Sequence, residues 1–343
     1  MSIPKFIIKR LGLAVFVLLG LSILIFLIAR VIPGDPARMA LGPRAPEYAL
    51  ENLRKEMNLD KPIYMQYYLW LSDFFTKGYL GKSLITRRHV EQDIIEFLPA
   101  TLEMVILAAI FLAGMGIGLG ILSAQYRNSF TDAIFRVIAY LGIATPSFVW
   151  LIIFILLFGY LMPIFPVLGR LTPGVSPPPR ITGMYILDGL LTGNLRASWD
   201  AFLHLVLPSI ALAMGGMSQA ARIIRSGIVD NIKKDYIALY KAYGFTDRLI
   251  FSKYLLKTSL IPAVSIMGLD IAALFANAFV IEKVINFPGL SNYGMNAILN
   301  KDLNAIVGTI MVLGIIFASV TIIIDIIVAY LDPRIRLITK ESS

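Results

Sequence analysis

The chain has 343 residues, 57% of them hydrophobic and only 15% charged, with a mean hydropathy of +0.76. Soluble domains average about 45–50% apolar and about 25% charged residues, so these figures exclude a soluble enzyme. The +9 formal charge points to a lipid surface rather than to nucleic acid in so apolar a chain, and the lack of Cys removes disulfides, Cys-based zinc sites and thiol nucleophiles.

A helix needs about 20 apolar residues to cross roughly 30 Å of hydrocarbon, and six runs qualify: residues 11–32, 100–124, 134–160, 201–221, 261–281 and 304–331. Helices are expected throughout, because an isolated strand cannot pair its backbone in lipid. The expected fold class is therefore an all-α polytopic membrane protein with six transmembrane helices. Its parts are residues 1–32 (tail and first span), 33–99 (an external segment), 100–331 (the membrane core) and 332–343 (a C-terminal tail). Lys5, Lys9 and Arg10 precede the first run as in a signal peptide, but the run is too long for one and lacks a cleavage site, so a retained anchor is expected.

Between the first two spans, Glu47 to Met57 reads as a short polar helix and Leu59-Asp60-Lys61-Pro62 as a break. Tyr64, Tyr67, Tyr68, Trp70, Phe74, Phe75 and Tyr79 follow, dense enough for either an interfacial helix or a cap packed on its own spans. Gly78 to Ser83 ends like a phosphate-binding loop, but only two residues separate its glycines where four are needed to wrap a phosphate. In the second span Gly114, Gly116, Gly118 and Gly120 alternate, so residues four apart offer a small face to another helix. Pro146 and Pro208 should kink or break the third and fourth spans.

The stretch 222–260 carries eight Lys and Arg. Within it, Asp235 to Tyr243 reads as a helix, Gly244 as a left-handed stop and Thr246 as the cap of a second helix, with Pro262 near the start of the fifth span. Three acids lie within spans. Glu103 opens the second span and favours the helix N-terminus; Asp325 sits near the end of the sixth, where a basic neighbour or solvent relieves it. Asp270 and Asn277, seven apart, share a face of the fifth span and either line a path or bond neighbouring helices. An intramembrane aspartyl protease using Asp270 and Asp325 lacks its Gly-x-Gly-Asp sequence, and a secondary transporter or channel lacks an evident inverted repeat. With the N-terminus inside, the inner segments hold 16 Lys and Arg against six acids and the outer ones 15 against 13, but ten of those 15 lie in the long first outer segment, which escapes the rule; against the remaining five, both termini are expected to be cytoplasmic.

The 222–260 loop resembles the cytoplasmic EAA loop of ATP-binding-cassette importer permeases, in detail that of the dipeptide/oligopeptide branch. Asp235-Tyr236-Ile237, Ala242 and Gly244, then Pro262 eighteen residues on, carry the likeness. It extends through Ile32-Pro33-Gly34-Asp35-Pro36, Thr101-Leu102-Glu103, Gly169-Arg170, His204 with Leu207-Pro208, Glu282, Pro288-Gly289-Leu290 and Asp332-Pro333-Arg334-Ile335-Arg336. Tyr240 departs from the family, which often has Ala there, and suggests a partner with a matching pocket. The resemblance implies a type I importer permease fold and a non-catalytic subunit in a prokaryotic inner membrane. It implies a second homologous permease, two cassette ATPases that bind ATP and Mg, and an extracytoplasmic substrate-binding protein. Coupling falls to Asp235, Tyr236, Ala242, Gly244 and Arg248, a possible path to Asp270 and Asn277, and contact with the binding protein to Phe287–Asn296. No metal site or cofactor is expected in the chain itself. Peptides are the first expectation for substrate, with oligosaccharides or nickel chelates as alternatives.

Overall fold

The computed structural model describes residues 3–31, 36–42, 44–56 and 58–331. The Ile32–Asp35 part of the first motif, the Asp332–Arg336 motif and the C-terminal tail lie outside the described residues. In chain order the helices are α1 (Ile3–Val31), α2 (Pro36–Leu41), α3 (Glu47–Glu56), α4 (Ile63–Lys77), α5 (Val90–Gln125), α6 (Phe130–Ala144), α7 (Ser147–Phe154), α8 (Tyr185–Thr192), α9 (Leu195–Asn231), α10 (Asp235–Ala242), α11 (Asp247–Leu249), α12 (Leu256–Val284), α13 (Leu290–Leu299) and α14 (Leu303–Leu331). Segments with π-helical bonding follow α7 (Ile155–Leu161) and join α11 to α12 (Ile250–Leu255).

Among the described residues, five helices are long and apolar enough to cross a membrane, and six if one bent pair counts as a span. That pair corrects the third predicted span. Residues 134–160 do not form one rod: α6 ends at Ala144, Pro146 caps α7, and the halves meet at 118°. Pro208, by contrast, lies inside the unbroken α9. The fifth span is longer than its apolar run, because Asp247–Val284 is continuous for 38 residues. Pro262 therefore stands inside α12 rather than at a helix start, and the non-helical part of the 222–260 loop shrinks to the surroundings of α10.

The core is built on α9, which packs against α5, α6, α7, α8 and α12. On α5 every fourth residue from Ala100 through Met104, Ala108 and Leu112 is fully buried, and Gly116 and Gly120 continue the row. A Cβ at Gly116 would meet the Ala220 side chain at 2.9 Å, and one at Gly120 would meet Ile224 at 2.8 Å and the Ala221 carbonyl at 2.9 Å. Gly114 and Gly118 face open space, so only one of the two glycine pairs is used for close helix approach. α1 packs on α14 at the periphery, with Phe16 and Val17 among its exposed side chains.

The aromatic helix α4 has both expected characters at once. Tyr67, Trp70 and Phe74 form a ring stack with Phe26 of α1, and the Tyr67 hydroxyl lies 2.8 Å from that of Ser22. Tyr64, Tyr68 and Phe75 on the other face are exposed. The loop at Gly78–Ser83 is a structural clasp: Asp302 accepts the Ser83 hydroxyl at 2.6 Å and the Leu84 N–H at 2.7 Å.

Candidate coupling site and membrane-buried polar clusters

The α10 end of the bundle is organised by a short helix, a glycine turn and a second helix. Ile237 of α10 is buried, Tyr236 and Tyr240 are half-buried, and Asp235, Ala238, Leu239 and Ala242 are exposed along one side, three and four residues apart. Gly244 follows at φ +77°, where a side chain would be strained although no neighbour stands in its way. Thr246 then caps α11, its hydroxyl accepting the Leu249 N–H at 3.4 Å, and Lys241 pairs with Asp247 at 2.9 Å across the turn. Leu239, Tyr243 and Leu249 make the exposed tip apolar, with Arg248 beside them.

Tyr240 does not reach outwards. Its ring stacks on Tyr254 with centroids 4.2 Å apart and touches Phe245 at 5.6 Å, so the bulk that departs from the family pattern clamps α10 to the start of the long α12 rod. The bulk at this position thus has an internal contact of its own.

Of the proposed path residues, Asp270 is half-buried and Asn277 exposed on α12. A Cβ at Gly216 of α9 would stand 3.0 Å from the Asp270 Cβ, and the Asp270 Oδ2 is buried without a hydrogen-bond partner among the described residues. Asp325 instead lies 3.1 Å from Arg10 of α1, the basic neighbour the sequence called for. The two acids thus face α9 and α1, which removes the geometric basis of an aspartyl dyad.

At the opposite end two clusters join motif residues that the sequence keeps far apart. Thr101 of α5 donates to Glu282 of α12 at 2.6 Å and accepts the Leu290 N–H of α13 at 2.8 Å; Glu282 also accepts the Asn292 N–H at 2.8 Å. Gly289 leaves room for this carboxyl, since a Cβ there would lie 2.4 Å from it. The same cluster folds Phe287 and Leu290–Gly294 into the bundle, so the segment expected to reach a binding protein is largely buried, and exposed residues follow only beyond it, at Ile298–Lys301.

Glu103 also differs from expectation. α5 begins at Val90, so Glu103 is in mid-helix, buried, and bonded to Arg170 at 2.8 Å and the Ile186 N–H at 2.5 Å. Arg170 also donates to the Gly183 carbonyl and covers the Tyr185 ring at 3.6 Å. Nearby Asp188 is buried, which pushes its pKa up. Donors from Thr182, Gly183 and Ile181 outweigh that and hold it below the usual carboxylate range.

Sequence reasoning missed Asp132. This fully buried acid takes two bonds of 2.7 Å from Arg225 of α9 and further bonds from Ser123 and Asn128, locking the α5–α6 turn to α9. Among the described residues, no group of three or more His, Asp or Glu is placed to hold a metal ion. His204 is buried with its Nδ1 2.8 Å from the Asp200 carbonyl.

Long apolar helices, polar residues paired across them and an exposed helix–turn–helix at one end are those of a multi-pass membrane protein. Residues 116–337 match the family described as binding-protein-dependent transport system inner membrane component, and residues 3–105 match its N-terminal companion. The chain belongs to this family. It is 38% identical over 323 residues to the probable D,D-dipeptide transport system permease protein DdpB of Escherichia coli K12, covering 94% of each chain. It is 35% identical to the dipeptide transport system permease protein DppB of Alkalihalophilus pseudofirmus, covering 96% of this chain and 98% of that one. It is 32% identical to the di/tripeptide transport system permease protein DppB of Pseudomonas aeruginosa, covering 97% and 98%. Family membership makes it a permease component of peptide-transporter type, whose relatives work with a binding protein.

Proposed function

We propose that the chain is one permease subunit of an ATP-driven importer of di- or oligopeptides in a prokaryotic inner membrane, with both termini inside. It forms half of the path beside a second, homologous permease. Two cassette ATPases supply ATP and Mg chemistry from the inner side, and an external binding protein delivers the substrate. The chain's own role is then mechanical, and catalysis belongs to its partners. Peptide is favoured over oligosaccharide or nickel chelate by the dipeptide names of its relatives.

The observation that carries this reading is the α10–Gly244–α11 unit. Its inner face is pinned by Ile237 and the Tyr240–Tyr254 stack, while Leu239, Ala242 and Tyr243 stand free at the tip, as a surface that enters a cleft on an ATPase must. Asp235, Tyr236, Ala242, Gly244 and Arg248 form this coupling surface, and Asp270 and Asn277 line the path farther along the same rod. A Gly244→Val substitution forces a branched residue into φ +77° at a cost of about 1–2 kcal/mol, enough to bend the turn without unfolding the bundle. In the assembled importer, dipeptide uptake should fall while the variant remains folded and membrane-inserted. Undiminished ATP-driven uptake by a well-folded variant would overturn the coupling role.

A further inference from the structure

At the α10 end, α5, α6 and α9 enclose a cavity of ≈ 270 Å³. Leu119, Ile138 and Met217 contribute apolar walls, and three guanidiniums, of Arg136, Arg222 and Arg225, line it together with the Ser218 and Tyr140 side chains. Two carboxylates hydrogen-bond residues of this lining. Asp132 is already satisfied by Arg225, Ser123 and Asn128, and Asp230 takes the Ser226 hydroxyl at 3.2 Å, two turns beyond Arg222 on α9. Arg136 makes a loose i,i+4 ion pair with Asp132 at 3.7 Å, too long for a hydrogen bond, and both Arg136 and Arg222 are exposed. The Arg222 fork, and the Arg136 fork with no hydrogen bond of its own, thus stand beside the Asp132–Arg225 pair. Directly alongside, α6 exposes Ile134, Val137, Ile138 and Leu141.

We propose that this cavity binds an anionic glycerophospholipid, its phosphodiester held by Arg136 and Arg222 and an acyl chain laid along the apolar strip of α6. The ligand is chosen by the juxtaposition. Guanidinium forks match phosphate oxygens, and basic pockets between membrane helices near the inner surface collect anionic headgroups. A free phosphate ion satisfies the arginines but leaves the α6 strip uncovered; a neutral lipid covers the strip but leaves the excess charge unmatched. The site lies at the end that the charge distribution turns inwards, and so rests on the orientation proposed above.

The test is native mass spectrometry and thermal melting of the full chain in a neutral detergent, titrated with phosphatidylglycerol, phosphatidylcholine or inorganic phosphate. Phosphatidylglycerol should bind in preference to phosphatidylcholine and resist displacement by inorganic phosphate. The double substitution R136Q/R222Q should weaken its binding by on the order of tenfold, and R136K/R222K should retain most of it. Both variants leave the Asp132–Arg225 pair intact, and R136Q gives up only an exposed ion pair worth about 0–1 kcal/mol, so their own melting temperatures should stay close to the parent's. Equal retention by R136Q/R222Q, equal binding of phosphatidylcholine, or displacement by inorganic phosphate overturns the proposal. So does photocrosslinking of a benzophenone-labelled A139C variant to the second permease in the assembled importer, since protein would then cover the site. The chain has no native Cys to confuse that readout.

Discussion

Thr101→Val changes the shape of a buried side chain very little and removes one hydroxyl that serves two partners. That hydroxyl donates to Glu282 at 2.6 Å and accepts the Leu290 N–H at 2.8 Å, and all three residues are essentially inaccessible to solvent. After the substitution Glu282 keeps the Asn292 N–H, but the Leu290 N–H loses its side-chain acceptor. An unsatisfied buried donor costs about 1–3 kcal/mol, and losing a bond to a carboxyl adds about 1 kcal/mol more. Interhelical hydrogen bonds in membranes average only about 0.6 kcal/mol, because the unfolded chain in lipid finds other partners. Here one hydroxyl joins three elements at fully buried positions, so a loss of about 3 kcal/mol is expected. Thermal unfolding of the purified chain in mild detergent should place Thr101→Val well below the parent and Thr101→Ser close to it. Thr101→Val and Glu282→Gln should be non-additive by about 1 kcal/mol or more, as residues of one network are. If Thr101→Val melts with the parent, the hydroxyl does not bridge α5, α12 and α13.

The same melting assay separates the two glycine faces of α5. Gly120→Ala drives a Cβ to 2.9 Å from the Ala221 carbonyl, a backbone atom that cannot rotate away, and should cost about 1–3 kcal/mol. Gly118→Ala meets nothing within 4 Å and should be neutral or stabilising by up to about 1 kcal/mol. Arg170→Met strands the buried Glu103 carboxyl with backbone N–H groups and no cation, and should destabilise by about 3–5 kcal/mol. Limited proteolysis should then cut within 162–194 sooner, and Glu103→Gln in the same chain should restore part of the resistance.

What the sequence revealed was what short-range chemistry decides. The α10–Gly244–Thr246 unit follows from a turn glycine and a capping hydroxyl only a few residues apart, and it forms as read. α3 ends within a residue of its expected bound for similar reasons. Apolar runs located the membrane helices but not their ends, because Glu91, Gln92 and Asp93 are polar and still helix-compatible, which carried Glu103 from a supposed helix start to mid-helix. Pro146 announced a break without its 118° angle, which depends on how α6 and α7 pack on α9. The polar clusters were legible only as isolated letters: Thr101 and Glu282 are separated by 181 positions and Asp132 and Arg225 by 93, and no local pattern encodes such pairings. Tyr240, a departure from a family pattern, has a local packing role in its stack on Tyr254 that its letter alone did not announce.

The proposed mechanism gains its mechanical sense from the 38-residue helical run from Asp247 to Val284, which at about 1.5 Å per residue spans about 57 Å. At one end the Tyr240–Tyr254 stack fixes α10 directly to the π-helical segment Ile250–Leu255, so a push on α10 enters the rod through a ring contact rather than through a flexible loop. At the other end Glu282 is held to α5 and α13 by Thr101 and Asn292. A rod fixed there and pushed at the α10 end swings about its far end, with Asp270 between the two. The widened π-helical turns and Pro262, which lacks an N–H to donate, lie between α10 and Asp270, where the rod is most easily bent. How far Asp270 moves against Gly216 is therefore set by the balance between bending in residues 250–262 and rotation about the Glu282 cluster. Tightening the first or loosening the second shifts that balance towards a larger swing.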